Sequence, residues 1–310
     1  MKWQSWKHLT WKYQTWKCRY ENGRCRNVDI EAADMEMKGI DMSDENMESP
    51  VLEMRKGSFS YDTGRMALCN VSATIRKGEK IAVIGSNGSG KSTFFLALNG
   101  VLKLSDGALY YRGERVAYTK QERMRLRKGV GIVFQDSDNQ IIGPTVEGEI
   151  SFGLFNLGMK RDEVKRRVLA VMEEHGLEKF LGRPPHLLSG GEKKRVTIAD
   201  ILAMEPEVIL FDEPASSLDG YHTRMLMEQL ERLHKEQIAL VVSTHDMNFV
   251  WEWADRVLVF GEGRLLADGT AEQIFENDAL LEDACLVRPI LFELPGRPRT
   301  IDEYKAINYI

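Results

Sequence analysis

An α/β fold with a mostly parallel sheet is predicted by three observations in this 310-residue chain. Short apolar runs alternate with longer amphipathic stretches. The runs are apolar at successive positions, as in strands buried on both faces. One of them leads directly into a glycine-rich turn with a helical pattern behind it. In chain order, Phe59-Ser60-Tyr61 and Val71-Ser72-Ala73-Thr74-Ile75 suggest a small antiparallel flank. Ile81–Ile84, Val208–Phe211, Ala239–Val242 and Val257–Phe260 read as buried strands. Arg161–His175, Glu192–Met204 and Gly220–Lys235 read as helices. Strands alternating with helices build a parallel sheet through crossover connections.

Composition narrows the function classes. With 43% hydrophobic and 29% charged residues, the chain can bury one large core or two small ones. A net charge of -5 disfavours a wholly basic nucleic-acid binder. No apolar run approaches the ~18 residues of a membrane span, so a membrane role goes through a partner. The four cysteines (Cys18, Cys25, Cys69, Cys285) have no repeating spacing, which excludes a disulfide scaffold and fits a reducing compartment. Cys18 and Cys25, with His8, match no zinc spacing and read as solvated thiols.

The first 50 residues stand apart. Residues 1–26 carry seven Lys/Arg and one Glu, and residues 27–50 carry eight Asp/Glu and one Lys. Within the basic part Trp6, Trp11 and Trp16 repeat every five residues, each followed by lysine. Five residues rotate a helix by about 140° and switch faces on a strand, so the repeat builds no apolar stripe. A membrane-surface or nucleic-acid-binding arm suits Trp and Lys. A disordered extension, or translated sequence upstream of the true start, accounts for the missing period better. Folded sequence is expected to begin near Met54.

The chemistry starts at strand 81–84. It runs into Gly85-Ser86-Asn87-Gly88-Ser89-Gly90-Lys91-Ser92-Thr93, which fits the G-x-x-x-x-G-K-[ST] pattern of a P-loop in its strand-to-helix setting. Glycines let the backbone wrap so that its N–H groups face phosphate oxygens, and the helix behind presents its positive end. Lys91 is expected on the β and γ phosphates of ATP and the Ser92 hydroxyl on Mg²⁺. The alternative, a chance glycine turn, arises on the order of once per hundred chains of this length at average residue usage. Strand 208–211 ends in Asp212-Glu213. Asp212 can hold Mg²⁺ through water, and Glu213 can polarise the attacking water.

Leu188-Ser189-Gly190-Gly191-Glu192 lies 20 residues before Val208. With the P-loop and Asp212-Glu213 it resembles the ATP-binding-cassette (ABC) ATPases, whose signature motif it matches. The resemblance covers roughly residues 51–285. It implies that Gln135 belongs to the Q-loop and, with Ser92 and Asp212, to the metal site. It further implies that Ser217-Leu218-Asp219 is the D-loop, that His245 is the switch histidine, and that Tyr61 stacks on adenine. Taken singly, His245 is more often a structural histidine and Tyr61 a packing aromatic. The resemblance also implies a P-loop NTPase core with an inserted helical subdomain at about 138–200 and a C-terminal extension at 286–310. Two cassettes would face head to tail, each ATP lying between one chain's P-loop and the other's Ser189, Gly190, Gly191 and Glu192. Ser189 before a helical stretch is, on physical grounds, a second anion-binding helix N-terminus.

Residues 139–158, with Pro144-Thr145-Val146, Phe152-Gly153 and Asn156-Leu157-Gly158, look like the energy-coupling-factor importer ATPases for cobalt, nickel and vitamins. Gly57–Tyr61, Ala203–Glu207 and Leu281–Pro289 fit the same group. Ala215, where Thr or Ser is usual, and Gly220, where Pro is common, depart from the pattern without touching a catalytic position. The expected protein is a peripheral ATPase on the cytoplasmic face of the membrane, with membrane subunits docking near 136–158. Two rivals share its chemistry. An exporter ATPase is opposed only by the 139–158 resemblance. A cassette acting on a soluble or nucleic-acid target is opposed by the 98 residues from Lys91 to Ser189, which carry no heptad run for a long coiled coil, and by the single cassette where ribosome-associated members carry two.

Overall fold

A computed structural model describes residues 49–62, 64–216 and 218–308, together with two short strands nearer the start. These strands, β1 (Tyr20–Glu21) and β2 (Arg24–Cys25), pair antiparallel within a first unit, Met1–Met47. Everything else expected of residues 1–48, including the Trp/Lys repeat and the environments of Cys18 and Cys25, lies outside the described residues.

The second unit, Glu48–Ile310, holds two sheets and a helical layer. The antiparallel flank is larger than expected: β3 (Leu52–Ser60), β4 (Met66–Ile75), β6 (Asp106–Tyr111) and β7 (Glu114–Arg115), in the order β4-β3-β6-β7. The main sheet runs β12-β11-β5-β10-β9-β8. It comprises β5 (Lys80–Ile84), β8 (Val130–Val133), β9 (Val208–Asp212), β10 (Ala239–Ser243) and β11 (Arg256–Gly261), all parallel, plus the antiparallel edge β12 (Arg264–Thr270). The helices are α1 (Lys91–Leu98), α2 (Lys120–Gly129), α3 (Val146–Asn156), α4 (Arg161–Glu174), α5 (Gly190–Ala203), α6 (Gly220–Lys235), α7 (Met247–Trp253), α8 (Ala271–Glu276), α9 (Asp278–Asp283) and α10 (Ile301–Asn308).

The continuous apolar runs are explained by packing on both sheet faces. Ile81, Val83, Leu210, Val241 and Leu258 meet Phe94 and Phe95 of α1 and the antiparallel sheet. Ala82, Ile84, Ile209, Val242 and Val257 meet Leu226 and Leu230 of α6 and Trp251 of α7. A third core, with Ile150, Val168, Val171, Phe180 and Val196, joins α3, α4 and α5. Helix α5 comes close to β8 because Gly131 has no side chain. A Cβ there would meet Ile201 Cγ2 at 2.1 Å. The fold continues past residue 285: Trp251 Nε1 donates to Pro298 O at 2.9 Å, and Phe292 packs edge-on against the Trp251 ring.

One buried group in the helical layer makes a stability prediction. Burial, reinforced by Glu149, pushes the Asp200 carboxyl up to about 7, and its Oδ1 is buried without a hydrogen-bond partner. An acid whose folded pKa is raised stabilises fully below its unfolded pKa and loses that contribution as pH rises to the folded value. Asp200→Asn is therefore expected to stabilise increasingly between about pH 4 and pH 7, by up to about 4 kcal/mol, and by a constant amount above. Thermal unfolding of both proteins across that range checks it; a pH-independent difference would contradict the burial argument.

Candidate functional site

The site lies at the C-terminal ends of β5, β9 and β10, where ligands collect in open parallel sheets. Gly85 leaves β5 with φ 145°, and a Cβ on it would strike Phe260 O at 2.2 Å. Gly90 precedes α1 at φ 109°, where a Cβ would lie 2.6 Å from Ala67 O. The wrapped loop thus depends on glycine at both ends. The first N–H groups of α1 have no intrahelical partner and are free to bind an anion. Lys91, 7% exposed, donates from Nζ to Gly85 O at 2.8 Å and Ser86 O at 3.2 Å. Burial draws its pKa down, while Glu213 and Asp212 oppose that shift.

The acidic side is built by β9 and β10. Ser243, fully buried, donates from Oγ to Asp212 Oδ1 at 2.6 Å, and the same Oγ accepts the Glu213 N–H at 3.0 Å. One hydroxyl fixes both positions. Glu213 has φ 46°, a left-handed turn that swings its side chain off the strand direction. Its Oε1 is buried without a hydrogen-bond partner, although His245 Nε2 lies 3.0 Å away. Burial holds the Glu213 carboxyl above the usual carboxylate range against the pull of Lys91, and Asp212 pushes it further. Burial and Lys91 hold His245 below the usual imidazole value, against the opposing pull of Asp212.

These groups share one cavity of about 470 Å³, lined by Tyr61, Asn87, Gly88, Gly90, Lys91, Ser92, Thr93, Gln135, Asp212, Glu213 and His245. Ser86 and Ser89 line a neighbouring hollow of about 310 Å³. Tyr61 is 43% exposed, sits edge-on to Phe59, and shares a 3.2 Å hydrogen bond between its hydroxyl and Thr93 Oγ1. Ser92, Gln135 and Asp212 all offer oxygen, the donor set that Mg²⁺ requires. Ser189, Gly190, Gly191, Glu192 and Asp219 do not line this cavity.

Ser189 caps α5 instead. Its hydroxyl accepts the Glu192 N–H while Glu192 Oε2 accepts from the Ser189 N–H at 2.9 Å, a reciprocal box that holds the Glu192 carboxyl below its usual range. Asp219 likewise caps α6 by accepting the His222 N–H at 2.8 Å.

Sequence reasoning missed three contributors. Ser243 sits in Val242-Ser243-Thr244-His245, where a small hydroxyl at a strand end beside an acidic pair was the available signal. Arg65 lines the phosphate side of the cavity, and only its place after Tyr61 hinted at that. Lys194, 3% exposed, is pulled down to about 8 by burial. Its setting in Glu192-Lys193-Lys194-Arg195, a charged run, carries no signal of burial.

Comparison with known proteins shows the family. The ABC transporter family model matches residues 68–216. An energy-coupling factor transporter ATP-binding protein of Methanothermobacter thermautotrophicus is 44% identical over 80% of this chain and 80% of its own length. One from Methanococcus maripaludis is 42% identical over 77% of this chain and 86% of its own. The solved structure of cbiO1 from Clostridium perfringens, part of an ABC transporter complex, has a TM-score of 0.66 at 36% identity. That match covers 76% of this chain and 94% of cbiO1. A dimeric ATP-binding cassette solved in a post-hydrolysis state with ADP and Pi has a TM-score of 0.63 at 28% identity, over 71% of this chain and 98% of the cassette.

Proposed function

The chain belongs to the ABC transporter ATPases, and from its likeness to the energy-coupling factor proteins we infer that it is the ATP-hydrolysing subunit of a membrane importer for a metal ion or vitamin. The hydrolytic part of this reading is carried by the meeting of Lys91, Asp212, Glu213 and His245 around the glycine loop in one cavity; the importer part is supported by the likeness to the energy-coupling factor proteins. A phosphate chain entering there displaces Lys91 Nζ from the Gly85 and Ser86 carbonyls and takes up its charge. Mg²⁺ held by Ser92, Gln135 and Asp212 would neutralise charge on the terminal phosphates. Glu213, held above its ordinary value by burial, accepts a proton from the attacking water. His245, 3.0 Å from it, is placed to steady the carboxylate and the γ-phosphate side. Ser243 anchors the Asp212 carboxylate and the main chain at Glu213.

Tyr61 supports the adenine side. Stacking on an aromatic ring contributes ~1–3 kcal/mol per base in nucleic-acid binders. Tyr61→Ala is expected to weaken ATP binding by about that amount and Tyr61→Trp to retain it, measured by equilibrium nucleotide binding. Equal affinity in all three proteins would reduce Tyr61 to packing against Phe59.

Transport needs a partner, because no helix among the described residues is long and apolar enough to cross a membrane. The segment after Gln135 offers a surface. Ile142 is 67% exposed, and Phe152 and Phe155 of α3 are about half exposed, beside Asp138 and Asn139. Ile141, next to Ile142 in the chain, packs against the helical core. The exposed set suits a groove that receives a short cytoplasmic helix of a membrane subunit, with apolar anchors and a polar rim. Ile142→Glu is expected to leave ATP binding and basal hydrolysis of purified protein unchanged while abolishing co-purification with membrane subunits and uptake. Intact uptake would remove the mechanical basis of the importer reading.

A further inference from the structure

Lys194 is the most deeply buried charged side chain among the described residues, at 3% exposed. It lines no part of the nucleotide cavity. Its Nζ donates to Phe134 O and to Gln135 O, each at 2.8 Å. Main-chain carbonyls thus solvate the ammonium, and Asp136 and Asp212 act on it at longer range. Burying an ammonium is costly unless it is hydrogen-bonded, and its value here is directional: an apolar side chain would fill the space without holding the loop.

The neighbouring contacts make the same connection. Lys193 pairs with Asp138. Gln140 accepts the Phe134 N–H at 3.0 Å and donates to Ile132 O at 3.2 Å, fastening the loop to β8. The loop carrying Gln135 is therefore tied by two consecutive lysines to the first turns of α5. The cap of that helix, Ser189, is five residues before Lys194.

We propose that Lys194 is a positioning residue that yokes the Gln135 loop to the signature helix. ATP engaged at Gln135 of one chain then sets the position of that chain's Ser189 in the site of the other chain. The yoke rests on the reading that each ATP site is composite. It makes hydrolysis at the two sites of a dimer cooperative, because closing one site moves the helix end that completes the other.

The test uses the full chain as an ATP-hydrolysing dimer. Lys194→Met is isosteric without donors, and Lys194→Arg restores donors to the same carbonyls. Lys194→Met should keep nucleotide affinity within about twofold, lower kcat at least tenfold and bring the Hill coefficient for ATP to about 1. Hydrogen exchange at 134–138 should rise while the P-loop stays protected. Lys194→Arg should recover most of the kcat and the cooperativity. Unchanged kcat and cooperativity in Lys194→Met would overturn the yoke, and so would a wild-type Hill coefficient of 1. A joint fall of affinity, melting temperature and kcat that arginine does not rescue would also overturn it, by marking a purely structural lysine. Should Lys194→Met not fold, Lys194→Gln is read by the same criteria. Ser189→Arg separates the two levels. Normal hydrolysis there would sink the composite site itself, whereas a dead Ser189→Arg beside an unaffected Lys194→Met would sink only the yoke.

Discussion

Glu213→Gln is expected to bind MgATP with near-normal affinity and to lose hydrolysis by about 10²–10⁴-fold, the usual contribution of a positioned acid or base. The amide keeps the size and the left-handed backbone turn but cannot accept a proton at neutral pH. The surroundings favour a clean result. The Glu213 N–H to Ser243 Oγ bond, 3.0 Å, belongs to the main chain and survives the change. The side-chain contact at risk is the one with His245, whose Nε2 lies 3.0 Å from Glu213 Oε1, and the amide keeps an oxygen for it. The variant should accumulate as an ATP-bound dimer, read by size exclusion with and without MgATP. Hydrolysis within a few fold of wild type would move the catalytic role to another group in the cavity.

Ser189→Arg is expected to leave nucleotide binding to the monomer intact and to abolish hydrolysis. The separation of Ser189 from the cavity that holds Lys91 and Glu213 gives this prediction its force. A bulky cation at the α5 cap blocks the end offered to the other chain without reaching its own P-loop. Loss of the Ser189–Glu192 box also costs ~1 kcal/mol of cap stability, so melting temperature is measured alongside activity. Mixed with Lys91→Ala, the variant should restore at most one working site per heterodimer. Loss of ATP binding by the Ser189→Arg monomer would instead place Ser189 in its own chain's site.

The main parallel strands were legible because both their faces are buried, and burial on both faces writes itself as an unbroken apolar run. β8 was not, since Val130-Gly131-Ile132-Val133 spends one of four positions on a glycine that admits α5. β6 and β12 were hidden by half-exposed, mixed patterns. Packing of the chain beyond 285 was equally silent, because Pro298 and Arg299 join the core through Trp251 and Ala254 rather than through any apolar period.

The nucleotide chemistry is written in local sequence patterns. A P-loop, an acidic pair after a buried strand and a second glycine-rich helix start are local patterns, each needing particular residue types at fixed spacing. How the groups act on one another follows from the packing of distant segments. Ser243 meets Asp212 and Glu213 because β10 lies beside β9, not because of any spacing along the chain. The Glu213 carboxyl is raised by burial that no single segment encodes. Lys194 reaches the Gln135 loop across about sixty residues of chain because Gly131 lets α5 rest on β8. Such contacts depend on distances between segments, and these are fixed only when the whole core packs.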